Sequence, residues 1–327
     1  MTAGSLPYVW SSTEATQAWE ACYFDRGGLY GDGFFTTLLV WQGKVLNWPA
    51  HWQRLAESAR RLGFPALDEA TLRRDLVRCY QAGPLPQTRE VVKIVITRGQ
   101  GGRGYAPPSE PTPFRRIYRL PYPEAVSGEF SGEVDAPRWD LSLSASPVQW
   151  GRQPLLAGLK HLNRLENVLA QQHVSQQMTA RPGTLADAVM TDDREQVIST
   201  TQANLVLVKG DQLLTPKLDH CGVAGTCLSQ LPQALAADPV TAHFALSATR
   251  LSWNDMIEAE AVFATNAVRG VMPVRFVRTS AAEHKKSPAP VLPIHQAWLK
   301  WQADTALSFV EFENPHIEHP NIETPNA

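Results

Sequence analysis

One lysine in this chain stands where amine chemistry is feasible. The run Lys160-His161-Leu162-Asn163-Arg164-Leu165-Glu166 follows the apolar, glycine-containing segment Leu155-Leu156-Ala157-Gly158-Leu159 and precedes a helical pattern. Desolvation at such a junction lowers a lysine's pKa and favours the neutral amine needed for Schiff-base chemistry. Asn163 is placed to cap the helix, with Glu166 three residues on to close a capping box. Leu162, Leu165, Val168 and Leu169 recur at helical spacing and predict one buried face. A lysine before a helix is ordinarily just solvated, so the assignment depends on the company this one keeps.

Two glycine-bearing segments add to it. Gly222-Val223-Ala224-Gly225-Thr226 leads into a helical pattern, and the unpaired amides of a helix N-terminus form a ready anion site. Arg98-Gly-Gln-Gly-Gly-Arg-Gly-Tyr105 contains a literal GxGxxG after a strand. A dinucleotide fold needs a helix next, and Ala106-Pro107-Pro108 forbids one. The segment then reads either as a basic loop presenting Arg98 or Arg103, with Tyr105, to a carboxylate, or as a solvated glycine loop.

The elements that must position these groups alternate along the chain. Thr36 to Val40 predicts a strand, Gln42-Gly43-Lys44 a turn and Val45-Leu46 its return. Pro49 opens a helix with Trp52, Leu55, Ala59 and Leu62 on one face, closed by Gly63. A second helix is predicted from Leu67 to Tyr80, then strands over 90–97 and 115–120. The Pro-, Gly-, Glu- and Ser-rich stretch 121–137 reads as a linker between a smaller domain (1–120) and a larger one (138–305). Further strands are predicted over 139–144, 187–191, 203–209 and 260–265, and the polar, proline-bearing tail 306–327 is expected to be disordered.

Composition excludes several classes. Thirty basic against thirty-two acidic residues, net charge −2, give no whole-chain attraction for nucleic acid or an anionic membrane. Cys22, Cys79, Cys221 and Cys227 are scattered and form no metal-ligand spacing with the nine histidines, so no metal is expected and the thiols are read as free. Neither a leader pattern nor a membrane-length apolar run is seen, which predicts a cytoplasmic protein.

Five segments in order, Tyr30-Gly-Asp-Gly-Phe-Phe-Thr-Thr37, His51-Trp-Gln-Arg54-Leu55, Arg98 to Tyr105, Gly158-Leu-Lys-His-Leu-Asn-Arg164 and Gly222-Val-Ala-Gly225, resemble the aminodeoxychorismate lyases. These belong to the fold-type IV pyridoxal-phosphate enzymes, beside branched-chain and D-amino-acid aminotransferases. The resemblance spans roughly residues 24 to 300. It implies a two-domain α/β (α+β) fold and pyridoxal 5′-phosphate as cofactor. It also implies a homodimer and a small-molecule substrate with two carboxylates, 4-amino-4-deoxychorismate, cleaved to 4-aminobenzoate and pyruvate for folate synthesis.

By that resemblance Lys160 forms the Schiff base and moves protons at the substrate carbon, and Arg54 binds the phosphate with the amides around Val223 and Ala224. Thr265-Asn266-Ala267 resembles the second phosphate-contacting loop, with Asn266 and Ala267 as cofactor contacts. Thr36 stands where aminotransferase members commonly carry glutamate, which favours elimination and places it among the catalytic residues. Tyr30, Arg98, Arg103 and Tyr105 are the implied substrate contacts. One departure matters: relatives usually pair the cofactor's pyridine nitrogen with a glutamate, and the matching position here is Ser199. A hydroxyl cannot hold a proton on that nitrogen, so the ring is a weaker electron sink. The alternatives are an aminotransferase of the same fold, or a cofactor-free homologue with a binding or regulatory role. The role of Arg164, in positioning the lysine loop, the cofactor or only local structure, stays open.

Overall fold

The computed structural model describes residues 8–12, 24–81, 89–123, 141–177, 185–278 and 282–313. The strands in the first half are β1 (Tyr8–Ser11), β2 (Gly33–Trp41), β3 (Lys44–Val45), β4 (Arg89–Thr97) and β5 (Phe114–Pro121). Next come β6 (Leu141–Ala145), β7 (Leu185–Thr191), β8 (Val197–Thr200), β9 (Asn204–Lys209) and β10 (Gln212–Pro216). The last are β11 (Ala245–Thr249), β12 (Ala261–Asn266), β13 (Gly270–Arg278), β14 (Glu283–Lys285) and β15 (Leu307–Ser308). The helices are α1 (Arg26–Tyr30), α2 (Trp48–Arg61), α3 (Glu69–Gln81), α4 (Leu165–Gln177), α5 (Thr226–Ala236), α6 (Trp253–Glu258), α7 (Leu292–Asp304) and α8 (Phe309–Glu313).

Two sheets organise them into a mixed α/β fold. The first is antiparallel, in the order β1-β5-β4-β2-β3-β15. Its alternating apolar residues, Phe34, Leu38, Val92, Ile94, Ile96 and Ile117 among them, pack on Trp48 and Leu55 of α2 and Leu72 and Leu76 of α3. The second is mixed, in the order β11-β10-β9-β12-β13-β6-β7-β8, with β14 beside β13. Its central strands are apolar on both faces: Val206, Val208, Phe263 and Val271 meet α5 and α7, while Leu205, Leu207, Val262 and Ala264 fill the opposite side. Burial of both faces explains why these strands read as continuous apolar runs.

The segment carrying Lys160 joins the two sheets. On one side Phe35 N donates to Lys160 O (2.9 Å) and Leu162 N to Gly33 O (3.0 Å). On the other, Gly158 N donates to Gly222 O and Ala224 N to Gly158 O, both at 3.0 Å. Gly158 makes the bend between these contacts at φ 81°, a conformation costly for any residue with a Cβ. The lysine backbone is therefore fixed from both directions.

Three expectations need correction. The capping box before α4 does not form: Asn163 Nδ2 donates to Gly31 O (3.2 Å), and Glu166 Oε1 accepts from Gly151 N (3.0 Å). Both side chains serve tertiary contacts instead of the helix end. The apolar stripe of α4 is not buried in this chain, since Leu165, Val168 and Leu169 are 76%, 57% and 53% exposed, while Ala170 and Val174 face the core. The tail does not lose order at 306: Leu307 and Ser308 pair with β3, and Phe312 of α8 is fully buried against Trp48, ring centroids 4.8 Å apart. Residues 314–327, Cys22 and most of the expected linker, from 124 on, lie outside the described residues.

Candidate active site

A cavity of about 470 Å³ opens where the two sheets face each other. The first sheet and α2 contribute Phe35, Thr37 and Arg54 to its wall, and the lysine segment contributes Lys160 and Arg164. Ser199 of β8, Asn266 at the end of β12, Thr226 at the start of α5, and Val223, Gly225, Ala267 and Arg269 of the adjoining loops complete the wall. Residues about 200 apart in sequence thus converge, and Lys160 lies among them.

Among the described residues no Asp or Glu forms an ion pair with the amine of Lys160. Its Nζ lies 4.6 Å from the centre of the Phe35 ring, and Lys93 Nζ lies 4.6 Å from the same ring. Burial first, then the charges of Arg54, Arg164 and Lys93, push the ammonium down to about 7. Near neutral pH a large fraction is free amine, the nucleophilic form.

Arg54 reaches across from α2 to the loop before α5. Its Nη2 donates to Ala224 O (2.5 Å) and its Nη1 lies 3.5 Å from Thr36 Oγ1. Burial pushes its pKa down to about 10, so it keeps its charge at neutral pH. Thr36 does not line the cavity. It is fully buried, with Oγ1 2.7 Å from Nδ1 of the equally buried His51, and it braces the arginine from behind. His51 is neutral, because burial and the charges of Arg54 and Lys160 hold its pKa well below the usual histidine value.

Several features of this end fit a phosphate. Arg54 Nε and Thr226 Oγ1 are buried polar atoms without a hydrogen-bond partner. Helix α5 begins at Gly225 with no side-chain cap, so its first amides are open to an anion. A Cβ on Gly225 would lie 1.9 Å from Asn204 Oδ1, so only glycine lets the loop approach this closely. Asn204 Nδ2 in turn donates to Val223 O (2.8 Å) and fixes the loop's shape. A guanidinium, an open helix N-terminus and unanswered donors form an oxyanion cradle beside a lysine whose ammonium is pushed down to about 7. That is the donor set a phosphorylated aldehyde needs.

Ser199 lines the cavity, but both its hydrogen-bonding directions are in use. It accepts from Trp150 Nε1 (3.0 Å) and donates to Thr200 O (2.8 Å). Trp150, absent from the sequence expectations, stands with its ring 5.5 Å from the Arg164 guanidinium. Arg164 donates through Nε to His161 O (2.9 Å) and through Nη2 to Leu159 O (3.0 Å), so it shapes the lysine loop. Ala224 contributes its carbonyl to Arg54 and does not itself face the cavity.

The four expected substrate contacts are elsewhere. Arg98 is buried and spent within the chain: it donates to Asp32 Oδ2 (2.8 Å), Gly63 O (2.9 Å) and Leu62 O (2.8 Å), and stacks 4.1 Å from the centre of the Phe64 ring. Arg103 is exposed. Tyr105 is 85% exposed and meets Tyr30 edge-on at 5.5 Å. The loop is held from below by Arg26, which donates to the carbonyls of Gly104, Tyr105 and Ala106. None of these four residues lines the cavity of its own chain.

Comparison with known proteins agrees with this arrangement. The family model described as amino-transferase class IV matches residues 33–277. An aminodeoxychorismate lyase of Vibrio harveyi is 32% identical over 263 residues, covering 80% of this chain and 88% of that protein. The crystal structure of 4-amino-4-deoxychorismate lyase from Pseudomonas aeruginosa superposes with a TM-score of 0.71 at 32% identity, over 89% of this chain and 98% of that one. A bifunctional aminodeoxychorismate lyase / D-amino acid transaminase of Mycobacterium tuberculosis is 28% identical over 203 residues, 59% of this chain and 64% of that protein.

Proposed function

This chain belongs to the class IV amino-transferase family as a pyridoxal-phosphate-dependent enzyme of lyase type, and from that premise we propose that it converts 4-amino-4-deoxychorismate to 4-aminobenzoate and pyruvate. The supporting observation is the cavity itself. It sets a lysine with pKa near 7 beside an oxyanion cradle, and among the described residues lining it there is no Asp or Glu. We take the setting to be cytoplasmic folate synthesis; no helix among the described residues is long and apolar enough to cross a membrane.

The residues divide the work by position. Arg54, Thr226 and the first amides of α5 would hold the phosphate, and Asn266 and Ala267 would close the same side. Pyridoxal phosphate, when bound, supplies a carbonyl carbon for amine attachment and a ring that accepts an electron pair from a breaking bond. Lys160 Nζ would anchor the cofactor and, when free of it, would take a proton from the substrate's amine-bearing carbon. The C–O bond joining the substrate's ring to the enolpyruvyl group would break, the departing enolpyruvate would take up a proton to give pyruvate, and the remaining ring would become aromatic. Ser199 would face the pyridine nitrogen, where neither it nor any other lining side chain can keep a proton. A neutral ring suits an elimination driven by aromatisation better than amino transfer, which depends more on the ring as electron sink.

The test is a product assay with the cofactor-loaded protein and 4-amino-4-deoxychorismate. It should release 4-aminobenzoate and pyruvate one to one with no 2-oxo acid added. Amino transfer between common amino acids and 2-oxo acids should be far slower, and Ser199→Glu should raise it. Fast amino transfer by the natural chain, with no 4-aminobenzoate formed, would establish an aminotransferase instead.

The same reading includes a homodimer. The exposed Leu165, Val168 and Leu169 make an apolar face on α4, and a second copy is its occupant: Arg103 and Tyr105 stand exposed with no place in their own cavity. Sedimentation should give a two-chain mass, and the double substitution Leu165→Glu with Leu169→Glu should give one chain. A natural protein that stays single-chain at micromolar concentration would end this part of the reading.

A further inference from the structure

Thr36 and His51 stand behind the phosphate cradle, and neither lines the cavity. Alternation along β2 puts the threonine there. Phe35 and Thr37 face the cavity, while Phe34 and Leu38 join the core under α2 and Thr36 meets His51 of that helix. His51 shares the buried face of α2 with Leu55 and Ala59. A hydroxyl and an imidazole enclosed in an apolar interface must satisfy each other.

Among the described residues Thr36 Oγ1 has two neighbours within hydrogen-bonding reach, His51 Nδ1 at 2.7 Å and Arg54 Nη1 at 3.5 Å. A guanidinium only donates, so the hydroxyl proton has one acceptor, the imidazole nitrogen. His51 Nδ1 therefore accepts, and the ring carries its proton on Nε2. Burial first, then the positive charges of Arg54 on its own helix and of Lys160 on the facing segment, hold the imidazole pKa well below the usual histidine value. The neutral ring this bond requires is thus the stable form.

The direction of that bond matters to Arg54. With its proton committed to His51, the threonine oxygen turns a lone pair to the guanidinium. A charged ring would donate from Nδ1 instead and swing the hydroxyl proton toward a cation. On the other side Arg54 Nη2 donates to Ala224 O, and Nε is buried without a partner. Two nitrogens are braced and the third is left for an anion.

We propose that His51 is a positioning residue for the phosphate-binding arginine: through Thr36 it keeps a hydroxyl lone pair, and not a hydroxyl proton, turned to Arg54. The inference deepens the pyridoxal-phosphate reading of the cradle and rests on it, but not on the identity of the substrate. It also gives Thr36 a part in cofactor binding in place of one in catalysis.

The test reads the cradle with 4-deoxypyridoxine 5′-phosphate, which keeps the phosphate and has no aldehyde for Lys160. Thr36→Val and His51→Phe should each weaken its binding to the cofactor-free protein about 5- to 20-fold. The double variant should lose no more than Thr36→Val alone, because the two side chains act as one chain. Thr36→Ser, which keeps the hydroxyl, should stay within about threefold of the natural protein. Nitrogen NMR at about pH 6.5, where an ordinary histidine is half charged, should show His51 neutral with its proton on Nε2. The resonance is identified by its absence from His51→Phe. Losses that add in the double variant, a loss below about twofold in His51→Phe, or a ring protonated at Nδ1 would overturn the proposal. Arg54→Ala keeps the two failures apart. If it too leaves binding unchanged, the cradle reading fails; a large loss there with none in His51→Phe sinks the positioning role alone.

Discussion

Lys160→Ala should fold, take up no visible Schiff-base colour and lose 4-aminobenzoate formation. Proton transfer alone accounts for about 10²–10⁴-fold of that loss, and loss of the covalent anchor adds to it. The expectation follows from the surroundings of Nζ. Phe35, Arg54, Arg164 and Lys93 offer the amine no acid, so its ammonium is held near 7. The sign of the pH dependence follows directly. Below pH 7 the protonated lysine cannot attack a carbonyl, and above it the free amine predominates. The rate at which the cofactor-free chain acquires colour with added pyridoxal phosphate should rise through about pH 7 and then level off. A midpoint near 10, the range of an exposed lysine, would show that the amine is not desolvated as described. Residue 160 hydrogen-bonds β2 through its backbone, so alanine keeps that hydrogen bond and far-ultraviolet dichroism should be unchanged.

Arg54→Ala is expected to weaken cofactor binding by about 10²–10³-fold, the loss of roughly 3–4 kcal/mol from two charge-assisted hydrogen bonds. It removes the only arginine at the cradle end of the described lining, and also the contact from α2 to Ala224 O. Arg54→Lys should recover part of the affinity, because a point charge answers a phosphate without the planar fork. Equilibrium dialysis or an absorbance titration gives the dissociation constant. A change below about threefold would remove Arg54 from the phosphate site.

How much of this was legible in the sequence depended on whether a feature was local. Strands β2 and β4, helix α2 with its opening Pro49, and the glycine loop ahead of α5 follow from period and punctuation, and the structure has them within a few residues of expectation. Lys160, Arg54, Ser199, Val223, Asn266 and Ala267 do line one cavity. What failed depended on tertiary context. An apolar stripe at helical spacing tells that a face is covered but not by what, and on α4 it points outward. Asn163 and Glu166 have the spacing of a capping box, yet Gly31 O and Gly151 N take them first. A cationic glycine loop carries no record of which wall it meets, so Arg98 read as a substrate contact when it closes an ion pair with Asp32.

Trp150 and Arg269 were missed because a lone aromatic in a loop and a lone arginine after a strand have no periodicity to mark them. The spacing Asn266 to Gly270 was a usable signal, since Asn followed four residues later by Gly is turn chemistry at a strand end. In the same way Phe309 and Phe312, three apart, announced the short helix α8 inside a polar tail.

The most direct test of the account is to load the natural protein with pyridoxal phosphate, reduce it with borohydride and map the modified peptide. The account predicts a visible absorption band that borohydride bleaches, with the stable adduct on Lys160 and on no other lysine. An adduct on Lys93 or on surface lysines, or a protein that stays colourless with excess cofactor, would contradict it.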